Sequence, residues 1–316
     1  MLNRDFSKSN KSFIAKTKYF IIGVVSFILI GVLIASIFGF NGNFEMKGYY
    51  EFSVNVNENS NYRDYSKVIE NKVDKFGGNF DTILNYDEGD NAQLVVRYMN
   101  SISKEDETKV KNEIAEALEI EISEIGETTF VKASVRSLDY VFTAAAILLL
   151  VAISSVFAFV RYNSASAITI IATAALATLS MLSLSAILRL SIGLSYFAML
   201  VILNMILIYF ELELFENMRN ESWLGSKKYA EALTSATKQT RARQLFVCIA
   251  VLVAGVLLVL LSTDPIKYVS LNILFMSVVL LACAWYVIPY IWSMLITSCK
   301  VKEYKVKATN VKDLED

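Results

Sequence analysis

The sequence predicts an α-helical integral membrane protein with six spans, one before and five after a water-facing α+β domain. Three observations predict it. Six apolar blocks are each long enough to cross about 30 Å of hydrocarbon at about 1.5 Å per helical residue. Hydrophobic residues make up 55% of the 316 residues and mean hydropathy is +0.46, above the usual apolar share of soluble proteins. Between the first two blocks the periodicity changes to that of a soluble domain. The net charge of −1 hides an arrangement: lysine and arginine crowd both ends and residues 219–243, whereas residues 41–127 carry a surplus of acids.

Composition also removes several function classes. Histidine is absent, which takes away the commonest general base and metal ligand, so ordinary hydrolytic catalysis has no Ser/His or Cys/His pair to use. Cys248, Cys283 and Cys299 lie in or at the edge of apolar blocks and support neither a disulfide framework nor a cysteine metal site. No catalytic residue, metal ligand, cofactor site or nucleic-acid surface is expected.

Residues 1–18 form a basic tail with Arg4, Lys8, Lys11, Lys16 and Lys18, and the first span, 19–40, follows at once. Its core is longer than that of a cleaved signal and ends in Phe38-Gly39-Phe40 without a small-residue cleavage site, so it reads as an uncleaved anchor. Residues 41–134 hold the α+β domain. Tyr50–Val56 alternates as a strand, and Tyr62–Phe76 places Tyr65, Val68, Ile69, Val73 and Phe76 at helical spacing before Gly77-Gly78 stops it. Asp81–Tyr86 and Ala92–Met99 read as strands joined by the turn Asp87–Asn91. Ser103 caps a second helix with early acids and an apolar stripe of Val110, Ile114, Leu118 and Ile120, and Thr128–Ala133 is the last strand. The order β-α-β-β-α-β is that of a ferredoxin-like split βαβ unit. It carries no phosphate loop or cluster of metal ligands, and a docking or spacer module explains it as well as any chemistry does.

The five-span bundle occupies 135–299, with spans at about 140–160, 165–188, 190–210, 245–262 and 268–297, and residues 300–316 are a second basic tail. The last block exceeds the hydrocarbon thickness, which predicts tilt or a kink near Pro289. An even number of spans puts both termini in the cytoplasm together with the loop 212–243, which holds Arg219, Lys227, Lys228, Lys238, Arg241 and Arg243, and it places the α+β domain outside. Three positive clusters agree on that topology. Small residues in Ala144–Ala146 and Ser164–Thr178 suit close helix packing, within the chain or against a partner. The basic residues of 227–243 could also hold anionic lipid.

The 1 + 5 layout around an outer ferredoxin-like domain resembles SecF, a component of bacterial protein export related to the resistance-nodulation-division transporters. Asn43–Gly48 stands where that family has a Gly-Asp-Phe-x-Gly-Gly-like stretch, with Gly48 matching. Arg161-Tyr162 resembles the Arg-Phe pair ending the second span. Phe215-Glu216-Asn217-Met218-Arg219 resembles a Phe-Asp-Arg-Ile-Arg-like end of the fourth, and Thr234–Arg243 resembles the Ser/Thr- and arginine-bearing loop before the fifth. Each motif is weak alone; their order covers nearly the whole chain. The chain departs from the family at its fourth-span Asn-Asp-Thr: laid on Phe215-Glu216 the aspartate falls on Phe210, and laid on Asn204 it falls on Met205, so the proton-coupling role does not transfer to either position.

The resemblance implies an accessory subunit of protein export in the bacterial cytoplasmic membrane. It would pair with a SecD-like partner, associate with the SecYEG channel, contact exported unfolded polypeptide and work by conformational change, with membrane lipids around it and no enzymatic chemistry. Two alternatives stand beside it: a structural subunit that stabilises its partner without conducting protons, and an FtsX-like permease partner of an ATPase, a layout with three later spans. Glu211, Glu213 and Arg241 are the candidates for a charge relay. Asn204, Ile208, Glu211 and Phe215 share a helical face, and a partly desolvated Glu211 could load a proton, whereas Glu213 points away. Equally, Phe210 could end the hydrocarbon and leave Glu211 to Glu216 hydrated at headgroup level, with Arg189 fixing the outer boundary. Arg241 and Arg243 could pair with Glu211, Glu213 or Glu216; in the family an arginine near here faces the transport pathway, which Arg241 matches better, although the positive-inside rule alone would place both.

Overall fold

A computed structural model describes residues 11–56, 62–73, 80–86, 92–223, 229–261 and 264–298. Six of its helices are long and apolar enough to cross a membrane, one before a small α/β domain and five after it, and the chain is a multi-pass membrane protein. The first, α1, runs Lys11–Phe38 and stops at Gly39, whose φ of 65° suits a residue without a Cβ. A single turn, α2 (Phe44–Lys47), follows. The Asn43 side chain caps it by accepting from the Glu45 backbone N–H, and Gly48 ends it at φ 75°, where a Cβ would lie 2.9 Å from the Val131 carbonyl oxygen.

The domain comprises β1 (Tyr49–Val56), α3 (Tyr62–Val73), β2 (Phe80–Tyr86), β3 (Ala92–Tyr98), α4 (Lys104–Leu118) and β4 (Thr129–Val131). Its strands lie in the order β2-β3-β1-β4, every neighbouring pair antiparallel, with Phe52 opposite Val96 and Val54 opposite Leu94. Those four side chains and Tyr98 bury one sheet face under Ile69 and Val73 of α3 and Val110, Ile114 and Ala115 of α4. Removing such a side chain from water stabilises the domain by about 1.5–3 kcal/mol. Ser103 caps α4 as expected, accepting from the Asp106 N–H at 3.2 Å. The strands match the sequence reading within one residue at each end, except that the last ends two residues early, at Val131. The stop at Gly77-Gly78 and the turn Asp87–Asn91 lie outside the described residues.

The bundle follows as α5 (Ser137–Arg161), α6 (Ser164–Ile187), α7 (Leu194–Trp223), α8 (Tyr229–Leu261), α9 (Asp264–Ala282), a π-helical segment (Cys283–Val287) and α10 (Ile288–Ser298). Lipid is as apolar as leucine, so close packing rather than hydrophobic burial must join these helices. The small residues of α6 supply it: Ala165, Ser166, Thr169, Thr173, Ala174, Ala177 and Ser180 are buried, and Gly31 of α1 lies so close to Ser183 that any Cβ there would overlap it. Ala144–Ala146 of α5, in contrast, are exposed. The irregularity expected near Pro289 is the π segment one turn before it. Proline offers no N–H to the Trp285 carbonyl and its ring crowds that oxygen; the helix widens, and the Ile288 N–H bonds back to Cys283.

The expected loop 212–243 is helical throughout its described part, because α7 continues to Trp223 and α8 begins at Tyr229. Apolar content ends near Phe210 and Leu245, but helix propensity does not. The helices therefore run past the positions where their hydrophobic runs stop.

Candidate functional site

Two motifs that the sequence keeps far apart meet at one end of the bundle. Arg161, the last residue of α5, pairs with Glu216 of α7 at 3.2 Å, and the Tyr162 hydroxyl donates to the same carboxylate at 3.0 Å. The Tyr162 ring lies edge-on to Phe215 with centroids 5.8 Å apart, and Arg219 approaches Glu216 at 4.0 Å. One helical turn sets the Glu216–Arg219 spacing, and the end of α5 brings Arg161-Tyr162 to it. Phe215 is buried, so the pair Phe215-Glu216 has one member in the core and one at the rim.

Glu213 points to a different neighbour. Its Oε1 lies 2.6 Å from Arg243 of α8, while its Oε2 is buried without a partner. Arg241, a turn fraction earlier on α8, forms no ion pair among the described residues; its guanidinium lies 5.5 Å from the Trp285 ring centroid of the π segment, and its Nε is buried without a hydrogen-bond partner. Of the pairings foreseen for the two arginines, only Arg243 with Glu213 forms. Lys227 and Lys228 lie outside the described residues.

Glu211 is 0% exposed, so the expectation that the whole stretch Glu211–Glu216 sits hydrated at headgroup level fails for its first member. A helix turns about 100° per residue, and the face carrying Asn204, Ile208, Glu211 and Phe215 is the one buried against the bundle, whereas Met205, at 54% exposed, faces outward. The Thr173 hydroxyl of α6 donates to Glu211 Oε1; Oε2 has no partner among the described residues. Cys283 of the π segment, which packs against α7, is also buried. Two turns along α7, the Asn204 amide donates to Thr178 at 2.9 Å and to the Leu200 carbonyl at 2.8 Å, and its Oδ1 is also buried without a partner. Phe210, one of the two positions that the family's aspartate would occupy, is buried one residue before Glu211.

A buried carboxyl with a hydroxyl beside it and no cation in ion-pairing reach among the described residues has one simple chemistry available: it can take up and release a proton. The charged pairs at Glu213 and Glu216 have less freedom, since each is matched by arginine.

At the other end of α7 the entrance to the α/β domain is tied to the helix start. Glu45 Oε2 accepts from the Leu194 N–H at 2.8 Å, an orphan donor of the first helical turn, and also from the Asn43 amide. The Asn43 N–H bonds the Ile192 carbonyl and the Ile192 N–H bonds the Asn41 carbonyl, both at 2.9 Å. Arg189, at φ 53°, donates to the Gly39 carbonyl at 2.6 Å, and Gly193 leaves room for the Asn43 side chain, which a Cβ would overlap. Gly48 thus lies beside a stem that grips α7 at its start, while Glu211 lies beyond the middle of that helix.

Sequence reasoning missed Thr173, Trp285, Cys283 and Glu45. Thr173 carried a signal: Ser166, Thr169, Thr173 and Ser180 repeat on one face of α6, and that stripe was read for packing alone. Glu45 carried none, because its partner is a backbone N–H far away in sequence.

No protein-family model matches the chain, and no curated protein matches it by sequence. Solved structures do match. A crystal structure of SecDF in a super-membrane-facing form superposes with a TM-score of 0.73 at 14% identity, over 91% of this chain and 39% of that one. SecDF from Thermus thermophilus, described as a translocon-associated membrane protein, superposes with a TM-score of 0.60 at 16% identity, over 91% and 38%. The chain has the fold of these proteins over nine-tenths of its length and spans about two fifths of theirs.

Proposed function

We propose that a chain folded like SecDF over this much of its length is a SecD/SecF-type protein and acts as a SecF-like accessory subunit of protein translocation. The observation that carries this reading is the extent of the likeness, 91% of a chain that consists of one span-length helix, the α/β domain and five further span-length helices. In this reading the domain is ferredoxin-like and extracytoplasmic, both termini are cytoplasmic, and the Glu213–Glu216 rim marks the cytoplasmic border. A SecD-like protein and the SecYEG channel are its partners, and the emerging polypeptide is its substrate. Nothing is catalysed; a conformational change does the work.

Glu211 takes the role of proton carrier in this proposal. It stands beside Phe210, sits inside the bundle rather than at the border, and is held by a neutral hydroxyl. Copurification of the tagged protein from its native membrane is the test: recovery of a SecD-like subunit and channel subunits is expected, and recovery of neither overturns the proposal.

A second reading, the structural subunit without proton movement, is favoured by the aromatic at Phe210 and the outward-facing Met205. Export in cells carrying Glu211→Gln decides between the two. The permease-partner alternative fits less well, because five span-length helices follow the domain where that layout has three.

A further inference from the structure

The Thr173 hydroxyl has one hydrogen to give. Three acceptor oxygens lie within its reach: Glu211 Oε1, the Thr169 carbonyl at 2.8 Å and the Ile170 carbonyl at 3.3 Å. It cannot donate to the carboxyl and to its own helix at once. We propose that Thr173 is a positioning residue that passes the protonation state of Glu211 to the backbone of α6. This rests on the reading of Glu211 as a group that exchanges a proton.

Two arrangements use the same heavy-atom positions. With a proton on Glu211 Oε1, the carboxyl donates to Thr173 Oγ1 and Thr173 donates to the Thr169 carbonyl. Without that proton, Oε1 can only accept, so the Thr173 hydrogen swings to it and the bond to Thr169 is lost. Threonine back-bonds of this kind bend helices, so the curvature of α6 becomes a function of the charge on α7. The next hydroxyl down, Thr169, donates to the Ala165 carbonyl at 2.7 Å and has no carboxyl to answer. Helix α6 is the route by which such a bend would spread: it touches α1 at Gly31 and Ser183, and its Ser166 accepts from the Trp292 indole of α10 at 3.1 Å.

The other groups around Glu211 do not compete for the role. The π segment that packs against α7 carries the buried Cys283; on α7 itself, Asn204 is committed to Thr178 and Leu200, and Glu213 turns to Arg243. No lysine or arginine lies within ion-pairing distance of Glu211 among the described residues.

Infrared difference spectroscopy of the full-length protein in lipid bilayers, titrated over roughly pH 4 to 10, tests this. The protonated carboxyl stretch of Glu211 is assigned by its loss in Glu211→Gln. In the parent and in Thr173→Ser the band and an accompanying amide change are expected to titrate together. In Thr173→Val the carboxyl band is expected to shift, its midpoint to move by about one pH unit, equal to tenfold in proton affinity, and the amide change to disappear. If Thr173→Val does not accumulate, Thr173→Ala makes the same comparison. A valine or alanine variant that titrates like the parent, amide change included, overturns the role of Thr173 while leaving Glu211 as the carrier. Absence of any Glu211-dependent band in the parent sinks both.

Discussion

Two glutamates in different regions of the molecule accept a threonine hydroxyl, and the rest of their surroundings differ. In the α/β domain, Glu107 takes the Thr128 hydroxyl at 2.5 Å and the Lys111 ammonium at 2.9 Å, and it remains 25% exposed. In the bundle, Glu211 takes the Thr173 hydroxyl, has no cation in ion-pairing reach among the described residues and is fully enclosed. Lysine holds Glu107 as an anion at neutral pH, with a structural job. The absence of one leaves Glu211 able to change state, because neither of its forms is locked by a counter-charge. What surrounds a carboxylate beyond its first hydrogen bond therefore separates a brace from a carrier.

The comparison breaks most visibly in export assays. Glu211→Gln keeps the shape and the Thr173 contact but cannot exchange a proton, and export is expected to fall by about tenfold or more, the scale on which a positioned proton-transfer group contributes. Glu107→Gln should leave export within about twofold. Equal export in both variants at normal protein levels would show that the enclosure of Glu211 has no functional consequence, and the structural-subunit reading would then stand.

Glu211 itself was half legible in the sequence. Helical geometry put Glu211 on one face with Asn204, Ile208 and Phe215, and that face is the buried one. The apolar run did not show that Glu211 is enclosed, that α7 continues as helix to Trp223, or that ion pairs form at Glu213 and Glu216. The α/β domain was the more legible part, since alternation and capping residues are local signals and Ser103 caps its helix as expected. The Glu45 contact to Leu194 and the meeting of Arg161-Tyr162 with Glu216 join segments more than fifty residues apart, and no periodicity encodes such distances.

Glu45 extends the comparison to a carboxylate answered by two neutral donors, a backbone N–H and a side-chain amide. Its bonds to the Leu194 N–H and the Asn43 amide act as a helix cap contributed from outside the helix. Glu45→Ala should cost about 0.5–2 kcal/mol, measured as thermal stability of the full-length protein, and Glu45→Gln should recover most of it because an amide oxygen still accepts. If alanine and glutamine are equally damaging, charge rather than capping holds the stem to α7.

Glu107 supplies the pH dependence. Burial pushes its carboxyl up, but the Thr128 hydroxyl and Lys111 outweigh burial and hold it below the ordinary value of 4.5. A group whose folded form binds protons less readily stabilises the fold above that value and loses the effect as pH falls through its lowered one. At pH 7, Glu107→Gln should speed amide hydrogen exchange in α4 and β4 by about fivefold, near 1 kcal/mol, relative to the parent. Under acid, once the parent carboxyl is itself protonated, the two proteins should exchange alike. A difference that persists there would mean that the glutamine disturbs packing instead of removing a charge.

The smallest effect is expected at Glu216, although it has the most partners. Arg161, Tyr162 and Arg219 all reach it, yet its side chain and that of Arg161 are 36% and 44% exposed, and ion pairs at such exposure contribute at most about 1 kcal/mol because water and salt screen them. Glu216→Gln should keep the Tyr162 hydrogen bond, lower stability by less than about 1 kcal/mol and change export by less than about twofold, with the stability difference shrinking further at high salt. The contrast with Glu211, little more than one turn away on the same helix, is the sharpest the molecule allows. If export instead collapses in Glu216→Gln and survives in Glu211→Gln, the charged rim and not the enclosed carboxyl is where the chain does its work, and the ordering of these glutamates by counter-charge is reversed.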